Sequence, residues 1–107
     1  MKARRHEVWL VSLDPTRGAE IRKTRPCVVI SPDEMNRHLR TVIIAPMTST
    51  IKPYPSRINL TFQGQQGQIV LDQLRTVDGS RLTRKLGRVS PRRAHDLSRC
   101  LQEMFAP

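Results

Sequence analysis

Arg25 lies just ahead of one apolar run, Pro26-Cys27-Val28-Val29-Ile30, and Thr48 and Ser49 lie just behind another, Ile43-Ile44-Ala45-Pro46-Met47. Laid side by side as antiparallel strands, the two runs bring a guanidinium and two hydroxyls to one edge of a sheet. A guanidinium is a rigid fork of N–H donors that stays charged at physiological pH and matches two phosphate oxygens at once. Hydroxyls can donate to the same oxygens. The chemistry open to such a cluster is stabilisation of a phosphodiester as it gains charge. If the substrate carries a 2′-OH, attack of that hydroxyl on the adjacent phosphorus yields a 2′,3′-cyclic phosphate and a 5′-OH, with no metal required. Arg25 then supplies the electrostatic part and Thr48 one further donor. A proton acceptor is still needed, and Asp72 or Glu20, two of the nine carboxylates, serves only if it stands near the 2′-OH. Positioning and charge stabilisation without a strong base are the other route. Read singly, Asp72 serves equally well as a hydrogen-bond acceptor holding a turn, and Glu20 as a loop charge.

The rest of the chain suits a phosphate ligand. Its 107 residues hold 19 Lys and Arg against 9 Asp and Glu, a formal charge of +10. Such an excess selects a polyanion, and the preponderance of Arg favours nucleic acid over an anionic lipid surface. Arg17, Arg22, Lys23, Lys52, Arg57 and Arg75 are candidates for phosphate contact, Tyr54 and Trp9 for stacking on a splayed base, and Ser49 and Gln73 complete the candidate RNA contacts. Trp9 serves as well in the core. No long basic amphipathic helix and no apolar span of bilayer length is visible, so no membrane partner is expected. The start, Met1-Lys2-Ala3-Arg4-Arg5, runs into a strand pattern without a signal-type apolar segment, which predicts a cytoplasmic protein. Cys27 and Cys100 lack metal-ligand spacing and read as buried small hydrophobes. No metal and no cofactor are expected. His6, His38 and His95 read as solvated or structural.

The positioning elements follow from periodicity and turn chemistry. His6–Leu13 alternates as a strand, with Val8 and Leu10 on one face and Trp9, Val11 and Leu13 on the other. The polar stretch from Thr16 to Lys23 reads as a mobile loop. Cys27–Ile30 is a buried strand. Ser31-Pro32-Asp33-Glu34 predicts a short helix capped by Ser31, with Pro32 at its first position, ending near Leu39. Thr41–Thr48 is the next strand, and Pro46 places it at a sheet edge or a bulge. Ser56–Phe62 and Gln68–Leu74 are strands joined by a connection at Gln63–Gly67. Asp78-Gly79-Ser80 opens a turn or helical turn reaching Arg84, and Leu86–Val89 is a last short strand. Ser90 and Pro91 start a helix whose stripe Ala94, Leu97, Leu101, Met104 and Phe105 is core-facing. Five or six short strands without long crossovers, followed by a C-terminal helix, predict a mainly β, antiparallel, strongly bent sheet or partly open barrel in one domain spanning 1–107. With 37% apolar residues and four aromatics, the core is thin, and a homodimer is expected.

The order of four segments resembles the MazF/PemK (Kid) family of toxins: Val8 to Glu20 with its Asp14-Pro15-Thr16-Arg17-Gly18-Ala19-Glu20 stretch, Arg25 to Ser31, Ala45 to Ser49, and Val70 to Asp78 with Asp72-Gln73-Leu74-Arg75-Thr76. The similarity runs over nearly the whole chain. It implies a small SH3-like antiparallel β-barrel with a C-terminal helix, a homodimer, metal-independent cleavage of single-stranded RNA at short sequences, and control by a cognate antitoxin whose disordered tail fills the RNA groove. By position, Arg25 and Thr48 match the pair regarded as catalytic in the MazF branch. Glu20 matches the acidic residue of the first loop, and Asp72 the acidic residue given a catalytic role in the Kid branch. Val70 stands where the Kid branch carries its catalytic Arg, so the Kid-type arrangement is incomplete here.

Two other functions fit parts of the sequence. A CcdB-like gyrase poison shares the implied fold, but such toxins lack the Arg-Pro entry and act through a Trp-bearing C-terminal tail, whereas this chain ends Met104-Phe105-Ala106-Pro107. A non-catalytic RNA-binding barrel is favoured by charge alone and predicts salt-sensitive binding without a cleaved product.

Overall fold

The computed structural model describes residues 3–107. The elements run β1 (Glu7–Ser12), β2 (Thr24–Val29), α1 (Asp33–His38), β3 (Thr41–Thr48), β4 (Arg57–Phe62), β5 (Gln65–Val70), β6 (Arg75–Asp78), β7 (Leu82–Arg88) and α2 (Pro91–Phe105), with 3-10 turns at Leu71–Gln73 and Gly79–Arg81. The strands pair in the order β4-β5-β3-β2-β1-β7, with β6 also on β3, and every pairing is antiparallel.

The curl of the sheet is centred on β3. One edge of β3 pairs with β2; the other pairs first with β6, over Thr41–Ile44, and then with β5, at Met47 and Thr48. Pro46 falls where that edge passes from β6 to β5. The strand is therefore central, so of the edge or bulge its proline suggested the edge is excluded; the missing N–H is tolerated because the ladder on that side is interrupted there and no partner stands at the gap.

Both faces of the middle strands are buried, which explains the continuous apolar runs. Val8, Val28, Ala45, Ile69 and Leu71 pack with Leu97 and Cys100 of α2 on one face. Val11, Leu13, Cys27, Val29, Ile44, Val77 and Leu82 fill the barrel on the other, with Trp9 against them. Val8 lies on one face and Trp9, Val11 and Leu13 on the other, as read from β1, whereas Leu10 is half-buried and belongs to neither cluster. The indole N–H of Trp9 donates to Glu7 Oε1 at 3.0 Å, so this ring belongs to the fold. Ser90 caps α2 as expected, accepting from the Arg93 N–H. Its stripe is core-facing through Ala94, Leu97 and Leu101, whereas Phe105 at its end is 70% exposed.

Several expectations are corrected. Ser31 does not cap α1: Pro32 holds the cap position, and the buried Ser31 hydroxyl donates to Asn36 Oδ1 at 2.6 Å while accepting from the Ile43 N–H at 3.0 Å. That hydroxyl stitches the helix to β3 instead. The Gln63–Gly67 connection is a two-residue turn, because Gln63 (φ 51°) and Gly64 (φ 79°) both take left-handed conformations, and β5 accordingly starts at Gln65. Asp72 is thus in a 3-10 turn after β5, not inside a strand. β6 went unread because only Val77 of its four residues is buried. β7 begins at Leu82, before the expected position, since the helical turn stops at Arg81.

Candidate active site

Arg25 enters β2 one residue before Pro26, and Thr48 closes β3. Cys27 stands opposite Pro46 in the β2–β3 ladder, and continuing that register sets Arg25 opposite Thr48. The two side chains line one cleft of about 220 Å³, together with Ser49, Met47 and Phe62 and with Gln63, Gln65, Gln66 and Gly67 of the β4–β5 hairpin. The meeting of a guanidinium and hydroxyls read from the sequence is present.

Local bonds orient both groups. Arg25 Nε donates to the Arg22 carbonyl at 3.2 Å, which leaves the two terminal nitrogens of the fork for a ligand. Thr48 Oγ1 accepts from the Thr50 N–H at 3.1 Å, so its own hydroxyl hydrogen is left to donate. Both are thereby set as donors, the polarity a phosphate requires. Gly67 makes the cleft narrow: a Cβ there would lie 2.6 Å from the Thr48 carbonyl oxygen.

The carboxylates sit elsewhere. Glu20 and Asp72 line a second hollow of about 510 Å³, with Gln73, Arg75, Ile21 and Leu74. Glu20 is exposed, and its Oε1 accepts the Arg17 N–H within the loop. Asp72 is gripped by Arg57, Nε to Oδ1 at 2.8 Å, and by the Ser56 hydroxyl at 2.8 Å. Burial works against the Asp72 charge, but the hydrogen bonds from Arg57 and Ser56 outweigh it and hold the carboxyl below its usual range. No three His, Cys, Asp or Glu side chains gather as a metal-ligating group among the described residues. The Cys27 thiol is pushed up to about 12 by burial, despite Arg75 and Arg25 nearby, and is inert as a nucleophile.

The family described as PemK-like, MazF-like toxin of type II toxin–antitoxin system matches residues 4–105. This chain belongs to that family. It is 38% identical over 109 residues to endoribonuclease MazF9 of Mycobacterium tuberculosis, covering 92% of each chain. It is 31% identical over 104 residues to endoribonuclease MazF of Staphylococcus saprophyticus, covering 92% of this chain and 87% of that one. Its fold is that of MazF from Deinococcus radiodurans, with a TM-score of 0.86 at 23% identity, over 98% of this chain and 97% of that one.

Within this toxin the candidate RNA contacts divide into two groups. Arg17, Arg22, Lys23, Ser49, Lys52 and Tyr54 are exposed. Arg57, Gln73 and Arg75 are held within the fold: Arg57 grips Asp72 and stacks 5.1 Å over the Tyr54 ring, and Arg75 Nη1 donates to the Leu13 carbonyl. Gln73 is bonded to the backbone of the β1–β2 loop on both its oxygen and its nitrogen. That loop, Thr16–Lys23, was expected to be mobile; it is tied at its base and at its middle. Gln68 was not singled out from the sequence. It is buried, and its amide binds both the N–H and the carbonyl of Lys52, so it holds the loop that follows Thr48 and Ser49. Nothing in its neighbours' periodicity marks it; only the pairing of β5 with β3 brings it there.

Proposed function

We propose that this toxin is an endoribonuclease that cuts single-stranded RNA, mRNA included, at short sequences. The 2′-OH attacks the adjacent phosphorus, the P–O5′ bond breaks, and the hydroxyl proton passes to solvent as the 5′ oxygen gains one. Arg25 and Thr48 carry the chemistry by donating to the nonbridging oxygens as they gain charge, and the exposed Arg17, Arg22, Lys23 and Lys52 hold flanking phosphates. Tyr54 offers a stacking face beside them. Glu20 and Asp72 line a neighbouring hollow and act on the reaction through the loops they brace. The observation that carries this reading is that Arg25 and Thr48 line one cleft at the ends of β2 and β3, both oriented as donors, in a member of a toxin family with endoribonuclease relatives.

The chain acts as a homodimer in the cytoplasm, held in check by a cognate antitoxin. The toxin–antitoxin family and the +10 charge support a partner with an acidic tail. The apolar side chains left exposed at Met35, Leu39 and Phe105 support a second copy as cover.

The test is incubation of the purified protein with a long unstructured RNA in EDTA, followed by mapping of fragment ends. Discrete cuts with 5′-OH ends, reduced to a slow residual rate in a folded Arg25→Ala variant, are expected. Losing one oriented donor, as in Thr48→Ala, lowers the rate about 10²–10³-fold. RNA left intact by a folded dimer overturns the reading and favours a gyrase poison or a plain RNA-binding barrel.

A further inference from the structure

The direction of the Arg25 fork is set by one hydrogen bond, from its Nε to the Arg22 carbonyl at 3.2 Å. Arg22 belongs to the β1–β2 loop, so whatever places that loop places the guanidinium. The loop is tied at two levels. At its base, the Leu13 N–H donates to the Lys23 carbonyl at 2.9 Å and the Lys23 N–H donates to Asp14 Oδ1 at 3.1 Å. Across its middle lies the side chain of Gln73. Gln73 Oε1 accepts from the Ile21 N–H at 2.7 Å, and Nε2 donates to the Ala19 carbonyl at 3.2 Å.

A primary amide has the donor and acceptor layout of a peptide group. Gln73 therefore bonds the loop backbone as a neighbouring strand would. It stands on a firm base: its 3-10 turn is closed by the Leu74 N–H on the Leu71 carbonyl at 3.2 Å, and Leu71 is fully buried. The same device occurs on the other loop of the site, where Gln68 takes both backbone groups of Lys52, at 3.1 and 2.9 Å. Gln68 is buried and also bonded to Asn59, so a change there disturbs the sheet. Gln73 is half-buried, and its role separates from folding.

We infer that Gln73 is a positioning residue for RNA cleavage: it clamps Ala19 and Ile21, which fixes the Arg22 carbonyl, which aims the Arg25 guanidinium into the cleft. The inference rests on the assignment of Arg25 above. Without the clamp the loop keeps its base ties and the packing of the Ile21 side chain against the core, but the backbone of Ala19 and Ile21 is released, and the fork is aimed for a smaller fraction of the time. The charge of Arg25 is unaffected, so the loss falls on turnover and not on ionisation or on RNA affinity.

Gln73→Ala tests this in two measurements. On the protein alone, NMR follows amide exchange at Ile21 and the Nε–H signal of Arg25. Exchange at Ile21 should quicken at least tenfold and the Arg25 signal should broaden, with the thermal midpoint within a few degrees of wild type. On RNA, kcat should fall about 10- to 100-fold with KM little changed. The double variant with Arg25→Ala should be no slower than Arg25→Ala alone. An unchanged Arg25 signal, an unchanged kcat, a raised KM at constant kcat (direct contact with RNA), or a full further loss in the Arg25→Ala background each overturns the inference. If wild type leaves RNA intact, the endoribonuclease reading falls, and the NMR signals alone decide whether Gln73 aims Arg25.

Discussion

Replacing Gly67 by alanine is the sharpest probe of how closely β5 must approach the site. Gly67 needs no left-handed backbone, so alanine is acceptable to its own torsions, and it removes freedom from the unfolded chain, a gain of about 0.4–1 kcal/mol. The objection is steric. The new methyl would lie 2.6 Å from the Thr48 carbonyl oxygen and must move about 0.8 Å to reach ordinary contact at 3.4 Å. Its neighbour is backbone, paired with Gln68 of β5, and cannot swing away as a side chain tip could. Overpacking of this kind costs about 1–3 kcal/mol, which exceeds the entropic gain. At about 4–8 °C per kcal/mol for a domain near this size, the thermal midpoint should drop by several degrees. The displacement falls on Thr48 itself, and a shift approaching 1 Å at a reacting centre lowers rate by about 10²-fold. The assay pairs thermal unfolding by circular dichroism with cleavage kinetics on a short RNA. Gly64→Ala is the control: that residue has φ +79° with open space around a Cβ, so it should lose stability through backbone strain while folded protein keeps its kcat. Gly67→Ala protein with wild-type midpoint and turnover would refute the idea that strand approach shapes this cleft.

Further outcomes follow from the ion pair and the titrating groups. Asp72→Asn should destabilise by about 1.5–3 kcal/mol, since the acceptor loses its charge and one of its two oxygens becomes a donor facing the Arg57 guanidinium, while the Arg57 side chain, 9% exposed, stays largely out of water. The folded fraction should keep kcat within about tenfold, whereas a fall beyond that range seen for losing an oriented donor, about 10³, would make Asp72 a participant in the chemistry. Burial, with Arg5 and Arg88 adding to it and Asp33 opposing, lowers the pKa of His6 below 6.5. The unfolded chain therefore takes up a proton at a pH where the folded one does not, and stability should decline as pH falls below about 6.5. Thermal midpoints measured from about pH 7.5 to 5 should show that decline, and His6→Gln should flatten it; parallel slopes would mean that His6 is not the group responsible.

Much of the fold was legible because its strands carry local signals. The apolar runs at Cys27–Ile30 and Ile43–Met47 bury on both faces, and the Ser90-Pro91 start of α2 needs only nearby residues to be recognised. Where the reading failed, a distant partner had overruled a local preference. Ser31 has the side chain of a helix cap, but its hydroxyl is taken by Asn36 and Ile43. Pro46 suggests an edge or a bulge, and its strand is central because β6 ends and β5 begins around it. β6 has too few buried residues to show a period at all.

For the site, residue type and order by themselves determined that a guanidinium and hydroxyls flank two apolar strand-forming runs, that the surface attracts polyanions, and which family the motifs belong to. These are properties of side chains and short spacings, which tertiary contacts do not alter. Only the tertiary structure decided which polar groups remain available to a ligand. Arg57, Gln73 and Arg75 look like Arg17, Arg22 and Lys52 in a list of polar residues. They differ in that the fold brings a carboxylate or a backbone group within hydrogen-bonding distance of each, across 15, 52 and 62 residues of sequence. A hydrogen bond needs a partner at about 3 Å, and no local pattern encodes where such distant partners fall.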